Sequence, residues 1–87
     1  MKASLDDIRQ NLVSLNPISV DLIDESSLHK GHAGARSGGH YRLLIVSPQF
    51  AGKRTAERHR MVYDALEMLM ENGIHALSIT AKTPDET

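Results

Sequence analysis

The sequence predicts an α+β domain of order α-β-β-α-(α)-β, a three-stranded mixed sheet with helices on one face. Three observations predict it. Apolar residues alternate or run together in three short segments, residues 18–23, 41–47 and 74–81, as strands require. They recur at helical spacing in two others, after Ser4 and after Thr55. A helix fills the interval between the last two strands, and a strand–helix–strand crossover normally leaves its flanking strands parallel. The first two strands then form an antiparallel, long-looped hairpin.

Each element has a local cause. Ser4 is a good helix N-cap, Asp6 and Asp7 suit the positive end of the helix dipole, and Leu5, Ile8, Leu12 and Leu15 share a face. Asn16 and Pro17 end that helix. Ile18, Val20 and Leu22 alternate with Ser19, Asp21 and Ile23, a strand with one buried face. A loop from about Asp24 to Gly39 follows, roughly sixteen residues without apolar periodicity, and loops that long are usually functional or disordered. The next strand, at 41–47, is apolar on both faces except at Arg42, which makes it the central one. Pro48 and Gly52 supply a turn, and Thr55 is expected to cap a helix that carries Met61, Val62, Ala65, Leu66 and Leu69 on one face. A short further helix is expected between Met68 and Asn72, with Gly73 as its C-cap. The last strand runs to about Ala81, and Thr83-Pro84 starts a C-terminal turn.

The 87 residues make one domain, 1–87, with no repeats and no linker. Aromatic residues are only 3%, so the core must be aliphatic, and the absence of cysteine removes disulfides and any thiolate ligand from this chain. A net charge of −1 with neutral histidines argues for neither nucleic acid nor an anionic membrane in bulk, so any basic footprint must be local. No run approaches the roughly 20 apolar residues of a membrane span, and the first ten residues lack a secretory apolar core. The expected compartment is the cytosol, foremost a bacterial one, or an organelle matrix if a targeting segment has been removed.

Two clusters could carry chemistry. His29, His32 and His40 lie in or beside the glycine-rich loop, with an H-x-x-H spacing between the first two. Imidazole is a common metal ligand, yet a closed site usually needs four ligands and no cysteine is present, so exposed loop histidines, a self-contained site and a site shared with a partner all stay open. His75 begins a strand beside Gly73, either as a half-buried histidine bonded to backbone or as half of a metal site. The second cluster, Lys53, Arg54, Arg58, His59 and Arg60, crowds a helix start, where the dipole disfavours cations. It is either a solvated helix start or a surface for an anion, phosphate or acidic partner. The fragment "GKRT" resembles a P-loop ending, but Ser47 stands where the earlier glycine is required, which excludes nucleotide binding of that kind. No Ser–His–Asp set has support from its context, and no enzymatic activity is expected.

Taken in order, "DESSLHKGHAG", "HYRLLIVSPQFAGKRTAERHRMVYDAL" and "GIHALSI" resemble the BolA family over nearly the whole chain, in its histidine-loop form. The resemblance implies a fold akin to type II KH domains. It also implies a heterodimer with a monothiol glutaredoxin that holds a bridging [2Fe–2S] cluster for iron–sulfur assembly, transfer or redox and iron regulation. Glutaredoxin and glutathione would supply thiolates, while this chain would supply His75 of "IHA" and His32 of "KGHAG" as ligands; His29 and His40 carry the match less clearly. Imidazole in place of thiolate on one iron is the Rieske pattern. The resemblance also implies DNA contact around the second helix, here Lys53, Arg54, Arg58, His59 and Arg60, although the G-x-x-G clamp of KH proteins is missing. The basic turn is further expected to dock the glutaredoxin or its glutathione carboxylates. Alone, the chain is expected to be a monomer or weak homodimer without cofactor, and least ordered from about His29 to Gly39.

Overall fold

The sheet has the expected topology. In the computed structural model, which describes residues 2–26 and 39–87, strands β1 (Ser19–Asp24), β2 (Gly39–Val46) and β3 (Ile74–Lys82) pair in the order β1-β2-β3. His29, His32 and the expectation about the order of the long loop lie outside the described residues. β1 runs antiparallel to β2, with Ser19 opposite Val46 and Asp24 opposite Tyr41, and β2 runs parallel to β3, with Leu43 opposite Ile79. Asp24 and Gly39, expected in the loop, are the terminal residues of paired strands.

Side-chain alternation decides which sheet face is covered. Tyr41, Leu43 and Ile45 of β2 are buried and join Leu22 of β1 in the core, with Val20, Leu77, Ile79 and Ala81 packed at its margin. Asp21, Ile23, Arg42, Ser78 and Thr80 point the other way and are exposed. The helices close the core: α1 (Leu5–Leu12) contributes Ile8 and Leu12, and α2 (Thr55–Ala65) contributes Val62. Leu66, at the junction of α2 with α3 (Glu67–Asn72), is fully buried, as is Phe50 from a single 3₁₀ turn at Pro48–Phe50. Burying each such side chain contributes about 1.5–3 kcal/mol.

The ends of the helices follow the sequence with two corrections. Ser4 Oγ accepts the Asp7 N–H at 3.0 Å, and after a 3₁₀ turn at Val13–Leu15 the chain leaves through Asn16 at φ 48°, a left-handed conformation that asparagine tolerates. Thr55, expected to cap α2, is instead its first helical residue. Arg54 holds the cap position, because Glu57 reaches back to accept the Arg54 N–H at 2.9 Å, the carboxylate half of a capping box. Gly73 does follow α3, but at φ −156° rather than in a left-handed cap. Its need for glycine is steric: a Cβ there would come within 2.8 Å of Ala3 Cβ and 2.9 Å of Ala3 N.

Candidate functional site

The histidines meet at a β-bulge. Gly39 pairs with Ile74, yet the next residue of β2, His40, pairs with Ala76, so His75 is an additional residue on β3. A bulge re-aims side chains that strict alternation would send to opposite faces. Here it brings the His75 ring within 5.0 Å of the His40 ring, tilted by 48°. His75 is exposed and His40 half-buried. Beside them a shallow depression of about 240 Å³ is lined by Glu25, His40, Tyr41, Ala76, Leu77 and Ser78.

Hydrogen bonds from the base of the loop fix the His40 backbone. Its N–H donates to Ser26 Oγ at 3.0 Å and its carbonyl accepts the Glu25 N–H at 2.8 Å. Asp24 Oδ1 in turn accepts the Ser26 N–H at 2.9 Å, and Lys2 Nζ lies 2.7 Å from Asp24 Oδ2. The Lys2 ammonium, then the Ser26 contacts, hold the Asp24 carboxyl down at about 2, and Asp24 raises the pKa of Lys2. Tyr41 donates its hydroxyl proton to the Ala3 carbonyl, and burial pushes its phenol pKa up.

Two imidazoles and no thiolate make a donor set that suits one iron of a cluster, or another d-block metal, completed by a second molecule. Among the described residues no group of three or more His, Asp or Glu side chains could hold a metal ion. His75 and His40 therefore form half of a site at most, and the loop positions of His29 and His32 lie outside the described residues.

The basic cluster lies elsewhere. Arg58, counted among the candidate cations, is only 13% exposed in its side chain, and its guanidinium is committed within the fold. It pairs with both oxygens of Glu86, at 2.6 and 3.1 Å, and donates to the carbonyls of Lys53 and Ala81 at 2.9 and 3.1 Å. Arg58, with a smaller contribution from the Thr83 N–H, holds the Glu86 carboxyl at about 2. Lys53, Arg54 and Arg60 are exposed, with no ion pair among the described residues, and His59 is half-buried. Arg58 grips Ala81, six residues beyond His75 on β3, a rise of about 20 Å along the strand at ~3.3 Å per residue.

Sequence reasoning missed the His40–His75 contact, although a signal was present: His40 directly follows Gly39, whereas Ile74 stands between Gly73 and His75. It also missed the pairing of Arg58 with Glu86, which lies 28 residues away and has no local signature.

The fold and the site define a class, a small α+β domain with an imidazole-bearing sheet end. The family model for BolA-like proteins matches residues 12–86, and the chain belongs to that family. It is 43% identical over 91% of its length to SufE-like protein 1, chloroplastic/mitochondrial, of Arabidopsis thaliana, and 40% identical over 84% to the chloroplastic protein BOLA1 of the same plant. It spans only 23% and 48% of those two proteins. The DNA-binding transcriptional regulator BolA of Escherichia coli (strain K12) is 34% identical over 84% of this chain and 68% of its own. Among solved structures, the BolA domain of Arabidopsis SufE1 superposes with a TM-score of 0.83 at 43% identity, covering 94% of this chain and 93% of that one. Among the described residues, no helix is long and apolar enough to cross a membrane.

Proposed function

We propose that this chain is a non-enzymatic partner of a monothiol glutaredoxin and contributes imidazole ligands to a [2Fe–2S] cluster held between the two proteins. The observation that carries this reading is His75, displaced by the bulge onto an exposed position beside His40, 5.0 Å away, in a chain without cysteine. His75 donates one nitrogen, and His32 of the loop, or else His40, donates the second. The cluster supplies the redox chemistry; this chain holds the ligands and, through the Ser26 and Glu25 contacts, fixes the backbone of His40. A partner completes the site, in keeping with a donor set among the described residues too small to close alone. The role is cluster assembly, transfer or redox and iron regulation. Co-expression with a monothiol glutaredoxin, followed by purification and iron and sulfide counting, tests it: the complex is expected to carry one cluster per heterodimer, and a metal-free complex argues against it.

A second reading is favoured by the exposed cations and by the name of the bacterial relative, a DNA-binding regulator. Lys53, Arg54 and Arg60 meet phosphates in this reading, so affinity falls steeply with salt and Arg60→Ala weakens binding across sequences. Arg58 is not part of this surface, since Glu86 holds it. An affinity indifferent to salt or to Arg60 contradicts it.

A further inference from the structure

The segment that precedes α1 ties together the three strand ends around the histidines. Lys2 Nζ pairs with Asp24 Oδ2 at the end of β1, at 2.7 Å. Ala3 N donates to the Gly73 carbonyl just before β3, at 2.9 Å, and the Ala3 carbonyl accepts the hydroxyl of Tyr41 in β2. The same Gly73 carbonyl accepts the Gly39 N–H at 3.1 Å, immediately before His40. On the other side, Asp24 Oδ1 holds Ser26 N, whose own Oγ holds the His40 N–H. One continuous set of contacts thus runs from Lys2 through Asp24 and Ser26 to His40, and from Ala3 to Gly73, the residue before Ile74 and His75. The steric demand at Gly73 points the same way: only glycine lets Ala3 approach this closely.

We infer that Lys2, Asp24 and Ser26 are positioning residues for the histidine pair, the Lys2–Ala3 segment acting as a clasp that sets the spacing of the two imidazoles and the anchor points of the loop between Ser26 and Gly39. This deepens the cluster-binding reading and rests on it only for its purpose, not for its geometry. The ionised state of Asp24, held down at about 2, keeps the clasp closed at ordinary pH. Lys2 is exposed, so its replacement leaves the core intact.

The test uses the full chain and two readouts. The first is the imidazole Cε1–H resonances of His40 and His75 by NMR, with amide exchange at Gly39 and Ala3; the second is the visible spectrum after titration into cluster-loaded glutaredoxin. Lys2→Ala and Asp24→Ala are expected to shift both imidazole resonances and to speed exchange of the two amides more than that of the core amide of Leu43, at a temperature where each variant is fully folded by circular dichroism. Lys2→Arg, which keeps the ion pair, is expected to restore the wild-type resonances. Asp24→Asn retains an acceptor for Ser26 N but not the charge, and is expected to fall between. Unshifted resonances in Lys2→Ala and Asp24→Asn overturn the positioning role, even if the wild type takes up cluster normally. Shifted resonances with no cluster uptake by the wild type leave the clasp standing and overturn the functional reading instead.

Discussion

His40 and His75 belong to different strands, and their rings nevertheless stand 5.0 Å apart, because β3 carries one more residue than β2 at the end where both strands begin. Without the bulge, alternation would send His75 to the face opposite Ala76. The pair makes the choice of second ligand measurable. If His32 is that ligand, as the family resemblance implies, His32→Ala lowers cluster retention in the glutaredoxin complex more than His40→Ala does. The reverse order assigns the ligand to His40. Iron released per complex on gel filtration provides the comparison.

Gly73→Ala places a methyl group against the backbone of Ala3. Overpacking of this kind costs about 1–3 kcal/mol. Urea unfolding is expected to show that loss, together with faster exchange of the Ala3 amide, which donates to Gly73.

The Arg58–Glu86 pair gives a defined pH window. Glu86 ionises at about 2 in the fold against an ordinary 4.5, so its folded pKa is lowered. The stabilisation is therefore complete above 4.5 and is lost as pH falls towards about 2, since protons then bind the unfolded chain more readily than the folded one. The stability difference between wild type and Glu86→Gln is expected to be largest at neutral pH and to shrink through that window. A difference that does not change with pH contradicts the pairing.

Leu43 is fully buried at the centre of β2, with its side chain in the core and remote from the open face. Leu43→Ala is expected to destabilise the domain by about 2–5 kcal/mol by chemical denaturation. At temperatures where the variant is still folded, its cluster uptake should match that of the wild type, which separates core packing from the site.

Much of this was legible in the sequence, for reasons that differ by element. The strands and their directions follow from alternation and from one crossover helix, both of which depend on residues close in the chain. The central strand could be read because 41–47 is apolar on both faces, and the Ser4 cap because its partner Asp7 is three residues away. Thr55 misled because a threonine before a helix looks like a cap, whereas the Glu57 carboxylate selects Arg54. Gly73 was found for the wrong reason: the pattern suggested a left-handed turn, and the cause is the close approach of Ala3, 70 residues earlier in the chain. Of the site, His75 and the basic residues were legible as residue types in suggestive places. Their grouping was not, since it depends on a bulge that adds one residue to β3 and on a carboxylate at Glu86 that removes Arg58 from the surface.

The most direct measurement is a titration of cluster-loaded monothiol glutaredoxin with this protein, followed by visible absorbance and circular dichroism. The spectrum of a thiolate-ligated cluster is expected to shift as imidazole replaces sulfur on one iron, with saturation at one chain per cluster, and the shift is expected to vanish with His75→Ala. A spectrum that does not change on addition of the wild type, or one that changes equally with His75→Ala, would contradict the account.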